Sequence, residues 1–331
     1  MREHQRSHGI GAAAVPAAVS DRPDASGSKV AVLVCTYNGE RYLHEQLDSI
    51  AAQSHSNWEM WVSDDGSTDG TRAILEDYRA RWSQPLTVRP GPATGFAANF
   101  MSITRAAASD AEYFAYSDQD DIWEADKLER AVAWLDTLPA DIPALYCSRA
   151  RYVSEDGAHI GLSAPFSRPL SFRNALVQSI AGGNTMVFNR AARALMVETP
   201  DNVRVKSHDW WAYILVTGAG GRVYFDHYPS LRYRQHGNNL AGQNVTLGAQ
   251  AARARALLAG DFREWNEDNL KGLQQMRHHF TADNCKVLDT FAHARRRWVV
   301  GRLYGVWRSG VYRQTALGNL GLLCAAVFNK L

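Results

Sequence analysis

The chain has 331 residues, of which 46% are hydrophobic and 21% are charged. These fractions are ordinary for a globular protein with a substantial core, and they exclude a largely disordered chain. The formal net charge is only +2, but residues 295–331 hold six arginines and one lysine without any Asp or Glu. The four cysteines lie far apart, without zinc-site spacing, and we expect them to be buried, reduced thiols.

Residues 1–28 are rich in Ala, Gly, Ser and Pro. Pro16 interrupts their short apolar stretch, which makes the segment a poor secretory signal. We expect a disordered leader.

Strand and helix patterns alternate over residues 29–138. The continuous apolar run "KVAVLVCTYN" is typical of a strand buried on both faces of a parallel sheet. A helix follows, with Leu43, Leu47 and Ile50 at helical spacing, and then come the strand "NWEMWV" and the helices "TRAILEDYRARW" and "TGFAANFMSITRAAA". The strand "AEYFAYSD" and the helix "EADKLERAVAWLDTL" complete this part. The order predicts an α/β fold with parallel strands joined by right-handed crossovers.

Beyond Pro139 the strand patterns are less regular. The segments "ALYCSRARYVSEDG", "GGNTMVFNR" and "GGRVYFDHYPSLRYRQHG" predict a mixed sheet that extends the first half, and "HDWWAYILVTGAG" predicts a helix ended by glycines. From about residue 246 the pattern is helical throughout. We therefore expect an α/β domain over residues 29–245 and a helical C-terminal extension over residues 246–331.

Two groups of carboxylates follow predicted strands. Asp64 and Asp65 come after "WEMWV", and Asp118, Asp120 and Asp121 come after "EYFAY". Ligands of open parallel sheets bind at the carboxyl ends of the strands, so both groups should open onto one crevice. Turn and helix-cap roles are the alternative for any single Asp. Three crowded carboxylates repel each other, and a bound Mg²⁺ or Mn²⁺ would relieve that repulsion.

The segments "VLVCTYNGERYLHEQLDSIAAQ", "WVSDDGSTDGT", "YSDQDDIWEADKL" and "HDWW" together resemble glycosyltransferase family 2, from about residue 30 to residue 240. The resemblance implies the GT-A fold, a Rossmann-like mixed sheet flanked by helices that binds a nucleotide-sugar. The variants "SDQDDIW", "HDWW" and "YRQHGNN" further resemble bacterial rhamnosyltransferases that build surface polysaccharides. The implied donor is a dTDP- or UDP-sugar, with dTDP-L-rhamnose as the specific expectation.

The resemblance places the nucleotide on the loop "CTYN". Tyr37 would stack on the base beside Thr36 and Asn38, with a core aromatic as the alternative role for Tyr37. Asp65 would accept the imide N–H of uracil or thymine. A carboxylate suits that role because it is acceptor-only and forms a charge-assisted hydrogen bond.

Asp118 and Asp120 match the DxD motif of the family. Asp120 would be the direct metal ligand, with Asp118 nearer the ribose or also on the ion, and Asp121 would cap the following helix. In "LRYRQHGNN", His236 would be a further metal ligand and Arg234 would reach the diphosphate. An edge strand with solvated basic residues is the alternative for that segment.

The resemblance assigns the catalytic base to Asp209 in "SHDWWAY", where an N-cap is the alternative role. It starts a helix whose free amides and dipole favour a carboxylate. No covalent nucleophile is needed, so the expected mechanism is direct displacement with inversion. The expected acceptor-side residues are Gly183, Asn184, His208 and Trp210. A His208–Asp209 dyad is not expected, because helical neighbours do not share a face.

The C-terminal segment "RRRWVVGRLYGVWRSGVYRQTALGNLGLLCAAVFNKL" interleaves Arg with aromatic residues. This composition favours an interfacial helix on an anionic membrane surface, and a packed or oligomer-forming helix is the alternative. The apolar part is too short to span a bilayer. Nothing else in the chain suggests nucleic-acid binding.

The leading interpretation is an inverting, metal-dependent glycosyltransferase that extends a bacterial cell-surface glycan or a polyprenyl-linked acceptor. Its expected location is cytoplasmic, on the inner face of the cell membrane. One rival is a sugar nucleotidyltransferase, although "CTYNGERY" lacks the basic, Gly-rich phosphate loop that such an enzyme should show. The other rival is a catalytically silent glycan-binding protein on the same fold.

Overall fold

The structure is a computed structural model that describes residues 27–237 and 261–331. The leader expected over residues 1–28 lies almost entirely outside the described residues. The domain boundary expected at residues 245 and 246 also lies outside them and stays a prediction.

The described part of the chain alternates strands and helices up to residue 234 and is helical from residue 261 onward. The strands are β1 (Val30–Thr36), β2 (Trp58–Asp64), β3 (Leu86–Pro90), β4 (Tyr113–Ser117), β5 (Ile122–Trp123), β6 (Ala144–Val153), β7 (His159–Leu162), β8 (Val187–Asn189) and β9 (Arg222–Arg234). The α-helices are α1 (Leu43–Ala51), α2 (Thr71–Arg81), α3 (Phe96–Ala106), α4 (Lys127–Leu135), α5 (Phe172–Ala175), α6 (Arg190–Val197), α7 (His208–Gly218), α8 (Asp261–Gln275), α9 (Ala282–Arg295), α10 (Val299–Ser309) and α11 (Ala316–Val327).

These strands form one mixed sheet in the order β3-β2-β1-β4-β8-β6-β9-β5, with β7 paired to β6. The first four strands in that order run parallel, as their helical crossovers require. Strand β8 is antiparallel to both β4 and β6, whereas β6 and β9 are parallel. The mixed α/β sheet predicted from the sequence is confirmed.

Strand β1 shows why the sheet is covered on both faces. All of its residues are buried, and successive side chains point to opposite faces. Ala31, Leu33 and Cys35 join a core that includes α3, α6 and α7. Val30, Val32 and Val34, whose side chains point to the other face, join a second core with α1, α2 and α4. A continuous apolar run is therefore what this position in the sheet demands.

Three strands carry no clear sequence signal. β3 has five residues, ends in Pro90 and grows more exposed along its length, because it is the edge strand that pairs with β2. β5 has only two residues, and β7 is mostly exposed. Short edge strands lack the buried apolar run that identifies β1.

The C-terminal helices pack on the same core as α7. Leu288, Phe291, Val306 and Leu322 belong to the apolar cluster that also contains residues of α3 and α7. Not all arginines of this segment are solvated, because Arg302 is buried and donates to the carbonyl oxygens of Ala326 and Arg297. In the described parts of the chain, every helix is too short or too polar to cross a bilayer.

The four cysteines are free thiols. Cys35 and Cys147 are buried as expected, and burial raises the pKa of both well above the ordinary value. Cys285 is half-buried and Cys324 is exposed, so the expectation of burial is wrong for Cys324. Its position on the outer side of α11 explains the difference.

Candidate active site

The carboxyl ends of β1, β2 and β4 meet at one edge of the sheet. Thr36 at the end of β1 is in register with Asp64 at the end of β2, and Val34 is in register with Ser117 at the end of β4. The loops that follow these strands therefore lie side by side. The charges of Asp118 and Asp65 both raise the pKa of Cys35, which places both carboxylates near the end of β1.

Consecutive aspartates at the end of β2 have different surroundings. Asp64 is buried, and its carboxylate accepts hydrogen bonds from Thr36 Oγ1 at 3.0 Å and Arg72 Nε at 2.7 Å. Its hydrogen bonds also hold Ser67 in the following turn, and together these bonds lower its pKa against the effect of burial. Asp64 is thus a structural anchor that holds the loop after β1 to the loop after β2.

Asp65 lies on the outer side of this anchor and is half-buried. Its carboxylate accepts the backbone N–H of Ala93 at 2.6 Å and that of Gly95 at 3.4 Å. A Cβ on Gly91 would lie 2.6 Å from Asp65 Oδ1, so the loop before α3 closes tightly around this side chain. The two backbone contacts fix the carboxylate and leave acceptor capacity for a further donor.

The loop after β1 presents its aromatic ring outward. Tyr37 is 60% exposed, which excludes the core-aromatic role. Its backbone N–H and C=O are both held by the Gln119 side chain, at 2.8 and 3.0 Å. Asn38 has a left-handed backbone with φ 48°, and its Oδ1 accepts the N–H of Thr68 at 2.8 Å. Gln119 was not singled out in the sequence, although its place between the aspartates of the DxD motif offered a signal.

The loop after β4 carries three carboxylates with separate environments. Burial, together with the charges of Asp120 and Asp209, raises the pKa of Asp118 to about 8. Asp120 Oδ2 lies 2.8 Å from His236 Nε2, and the His236 ring stacks on Tyr42 with centroids 5.1 Å apart. The structure thus places His236 against Asp120.

Arg234 lies behind this loop rather than in the open crevice. It is buried, with its guanidinium 2.7 Å from Glu45 Oε2 and bonded to the backbone carbonyl oxygens of Asp120 and Glu155. Its guanidinium also stacks over the Tyr42 ring at 4.7 Å. These contacts suit a support for the Asp120 backbone, and a diphosphate would have to compete with them.

Asp121 is buried and faces the interior. Its Oδ2 accepts a hydrogen bond from the Asn184 side chain, and burial raises its pKa well above the ordinary value. Lys127 is also buried, with Nζ 4.3 Å from the centre of the Trp123 ring and no hydrogen-bond partner among the described residues. Burial lowers the pKa of Lys127 to about 7, against the opposing charge of Asp121. Asn184 therefore connects the loop after β4 to the glycine turn, and its amide is committed to Asp121.

Asp209 lies in the first turn of α7 and is half-buried. Its Oδ1 accepts from the Ser207 hydroxyl and from the backbone N–H of Trp210, the latter at 2.6 Å. Its charge lies close enough to Asp118 to raise the pKa of that carboxyl. Residues far apart in sequence thus meet: Asp209 lies by the carboxylates that follow β4.

His208 packs under the glycine turn. It is buried, its ring stacks on Phe100 with centroids 3.9 Å apart, and a Cβ on Gly183 would lie 2.2 Å from its Nε2. Burial lowers the pKa of His208 to about 4, so its ring is neutral near pH 7. Neither ring nitrogen has a hydrogen-bond partner in the described residues, and no dyad with Asp209 forms there. Glycine at position 183 is required for this close contact.

Trp210 lies in the protein core, on a different side of α7 from Asp209. Its side chain is 5% exposed and its indole N–H donates to the carbonyl oxygen of Ala175 at 2.7 Å. It belongs to the core between α5 and α7. The acceptor-side role expected for Trp210 is therefore replaced by a core role, because consecutive residues of a helix face different directions.

The carboxylate oxygens and the imidazole nitrogen at this site are ligand types that suit a divalent cation. Besides burial, the charges of Asp120 and Asp209 contribute to the raised pKa of Asp118, so the three carboxylates lie near one another. Two nearby basic side chains are directed elsewhere: Arg234 binds Glu45 and backbone oxygens, and Lys127 lies under Trp123. Carboxylate oxygens with one imidazole nitrogen are ligands that Mg²⁺ and Mn²⁺ accept.

Comparison with known proteins identifies the family. A family model described as Glycosyl transferase family 2 matches residues 31–196, which is half of the chain. The chain belongs to glycosyltransferase family 2. It is accordingly a transferase that uses a nucleotide-sugar, and the family assigned from the sequence motifs is confirmed.

Two curated proteins are similar to this chain over about two-thirds of its length. The Shigella flexneri protein named dTDP-rhamnosyl transferase RfbG is 27% identical over 229 residues, covering 66% of this chain and 77% of that protein. The Mycobacterium tuberculosis protein named Uncharacterized protein Rv1520 is 31% identical over 218 residues, covering 64% of this chain and 60% of that protein.

A solved structure carries the same fold. Residues 1–349 of Staphylococcus aureus TarS, in complex with UDP-GlcNAc, match with a TM-score of 0.52 and 19% identity, covering 91% of this chain and 88% of that one. The sheet and helices described above are therefore a GT-A fold.

Proposed function

We propose that this glycosyltransferase moves a sugar, with inversion, from a dTDP- or UDP-linked donor to a hydroxyl of a bacterial cell-surface glycan or polyprenyl-linked acceptor. The observation that carries the proposal is that the start of α7 lies against the DxD loop: His208 packs on Gly183, and Asn184 is bonded to Asp121. The charge of Asp209 also contributes to the raised pKa of Asp118. A base on one side and a diphosphate site on the other are what direct displacement needs.

On the donor side, the exposed Tyr37 ring would stack on the base while Thr36 and Asn38 shape the loop that carries it. Asp65 would accept the imide N–H, in the orientation fixed by the amides of Ala93 and Gly95. Thymine and uracil share that N–H, so this contact recognises either base.

Asp120, with Asp118 and His236, would hold a Mg²⁺ or Mn²⁺ ion. Such an ion, when bound, supplies Lewis-acid stabilisation of the charge that develops on the leaving diphosphate. In the structure His236 Nε2 is bonded to Asp120 Oδ2, and a bound ion would replace that hydrogen bond, because Nε2 cannot donate to the carboxylate and ligate the ion at once. Arg234 holds the Asp120 backbone from behind.

On the acceptor side, Asp209 would take the proton of the attacking hydroxyl. Its Oδ1 is held by Ser207 and by the Trp210 amide, so Oδ2 is the oxygen that would face the acceptor. Attack from the side opposite the leaving group inverts the anomeric carbon. Gly183, Asn184 and His208 would shape the acceptor side from beneath, because His208 packs against Gly183 and the Asn184 amide is bonded to Asp121.

L-rhamnose is the sugar that we propose, and the support is the likeness to the Shigella flexneri dTDP-rhamnosyl transferase over 66% of this chain. The motifs "SDQDDIW" and "YRQHGNN" point the same way. A sugar nucleotidyltransferase is disfavoured by the family match, and a silent binding protein is disfavoured by the meeting of Asp209 with the DxD loop.

Thermal unfolding with a panel of nucleotide-sugars and Mg²⁺ or Mn²⁺ tests the donor. A donor at 100 times its Kd stabilises the fold by about 2.7 kcal/mol, which raises Tm by roughly 4 °C in a protein of this size. We expect dTDP-L-rhamnose to give the largest shift and UDP-GlcNAc a smaller one. ADP-glucose is the control, because adenine has no ring N–H on the edge that would face Asp65, and a shift as large for that compound would contradict the role given to Asp65.

We also propose that the last two helices contact the inner face of the cytoplasmic membrane. Trp298, Trp307 and Leu317 are 77, 74 and 72% exposed, which is unusual for large apolar side chains. The exposed Arg297 and Arg308 flank this surface and would meet anionic headgroups. A membrane-bound enzyme would then reach an acceptor carried on a polyprenyl lipid.

Co-sedimentation with phosphatidylglycerol vesicles tests this contact. Replacing Trp298 and Trp307 together by serine should weaken binding at least about tenfold, because burying one aromatic side chain contributes about 1.5–3 kcal/mol. The control is Trp265→Ser, which removes an exposed Trp from α8. Equal sedimentation of the double variant and the control would contradict the proposal, as would equal binding to neutral phosphatidylcholine.

A further inference from the structure

Glu198, His278 and His279 form a cluster that the glycosyl-transfer site does not use. Glu198 follows α6, and the two histidines lie in the 3₁₀ turn between α8 and α9. One ligand atom from each residue lies within 4.8 Å of the other two. The cluster thus joins the strand-and-helix part of the chain to the C-terminal helices.

The geometry of the cluster is that of side chains arranged around a common point. His279 Nε2 lies 2.9 Å from Glu198 Oε2, yet this nitrogen makes no hydrogen bond within the described residues, so the oxygen lies off its N–H axis. The rings of His278 and His279 are close, with centroids 4.0 Å apart and planes at 43°. Two atoms that ligate the same metal ion lie about as far apart as His279 Nε2 and Glu198 Oε2. They form no hydrogen bond with each other, because the lone pair of each atom points at the ion.

The backbone around the cluster is fixed by buried neighbours. Met276 and Phe280 lie on either side of the two histidines and are buried, and the Phe280 ring packs on Phe172 with centroids 5.5 Å apart. Thr199, next to Glu198, is buried and accepts the Trp211 indole N–H at 2.9 Å. The backbone that carries the three residues is therefore held in place by the fold.

The charges nearby also favour a cation. Glu198 lies at the C-terminal end of α6, where the helix dipole is negative. Arg277 would oppose a cation, but its guanidinium is bound by both carboxylate oxygens of Asp289, at 2.6 and 2.8 Å. His279 is half-buried while Glu198 and His278 are exposed, so an ion could enter from solvent.

We propose that Glu198, His278 and His279 bind a zinc-type transition-metal ion that fastens the C-terminal helices to the glycosyltransferase domain. Two imidazoles and one carboxylate are a ligand set that suits Zn²⁺, with water completing the coordination. Imidazole-rich sites prefer such ions, whereas the carboxylates of the DxD loop suit Mg²⁺ or Mn²⁺. This site is independent of the proposed donor and acceptor.

Isothermal titration of tag-free protein with ZnCl₂, in excess Mg²⁺, tests the site. We expect Glu198→Gln, His278→Ala and His279→Ala each to weaken one Zn²⁺-binding event at least about tenfold, because even outer-shell changes cost about 10–100-fold in metal affinity. The control is His227→Ala, which removes an exposed histidine outside the cluster. Zn²⁺ binding that all three variants leave unchanged would overturn the proposal.

A second measurement covers the structural role. Zn²⁺ should raise the Tm of the wild-type protein and of the His227→Ala variant, and each of the three ligand variants should lose that rise. Without Zn²⁺ the Glu198→Gln and His278→Ala variants should unfold close to the wild-type temperature, because both side chains are exposed. A Tm rise that survives in every ligand variant would place the stabilising ion elsewhere and contradict this assignment.

Discussion

Replacing Asp209 by asparagine is expected to abolish sugar transfer while the donor still binds. The substitution is nearly isosteric, and the asparagine Oδ1 can keep both hydrogen bonds that Asp209 Oδ1 accepts, from the Ser207 hydroxyl and the Trp210 amide. What is lost is the charge and the ability to take a proton from the acceptor. The kcat for transfer should fall by about 10²–10⁴, the usual contribution of a general base.

The two consequences are measured separately. Transfer is followed as release of the nucleoside diphosphate in the presence of acceptor, and donor affinity is measured by calorimetry without acceptor. The donor Kd should change little, because Asp209 acts on the other reactant. Asp283→Asn is the matched control, since Asp283 also lies in the first turn of a helix but is exposed and bonded to Lys286. Unchanged kcat in Asp209→Asn would remove Asp209 from the role of base.

The sheet and the location of the site could be predicted from the sequence because each had a strong local signal. Buried parallel strands such as β1 are uniformly apolar, and their ends are followed by the aspartates at 64, 65, 118, 120 and 121. Strand topology then brings those ends to one edge. The short strand β3 was missed because an exposed edge strand ending in Pro90 lacks that signal.

The different roles of adjacent residues were harder to predict. Asp64 anchors two loops and Asp65 faces outward. Successive side chains of a strand point to opposite faces, and this alternation could have distinguished the roles of the two residues. Whether a given side chain points to the crevice depends on where the strand ends, and sequence does not fix that residue. Trp210 is a similar case, because the rotation of α7 sends it to the core next to an outward Asp209.

His208 and Arg234 show a second limit. Both are polar residues in a functional motif, yet both are buried, and their partners come from distant segments: Phe100 for His208, and Glu45 for Arg234. The partners of these two contacts are 108 and 189 positions apart in the chain, so a local sequence pattern cannot predict them. Such residues support a site through packing and backbone contacts, and this role can only be recognised once the fold is known.

Replacing Asp120 by asparagine should make donor binding insensitive to chelation. In the wild-type protein, we expect excess EDTA to weaken donor affinity, because the diphosphate would lose the ion that links it to the DxD loop. In the variant, the neutral amide is a poorer ligand, so donor affinity should be low with or without EDTA. The drop should be at least about tenfold, since even outer-shell changes cost about 10–100-fold in metal affinity.

The test compares the wild-type protein with Asp120→Asn, each with and without EDTA. Asp126→Asn is the control, because Asp126 precedes α4 in the same segment and lies 3.8 Å from Arg130 at the surface, an ion pair worth about 0–1 kcal/mol. The control should bind donor as the wild type does and lose affinity in EDTA. If EDTA weakens donor binding as much in Asp120→Asn as in the wild type, the ion that matters lies elsewhere.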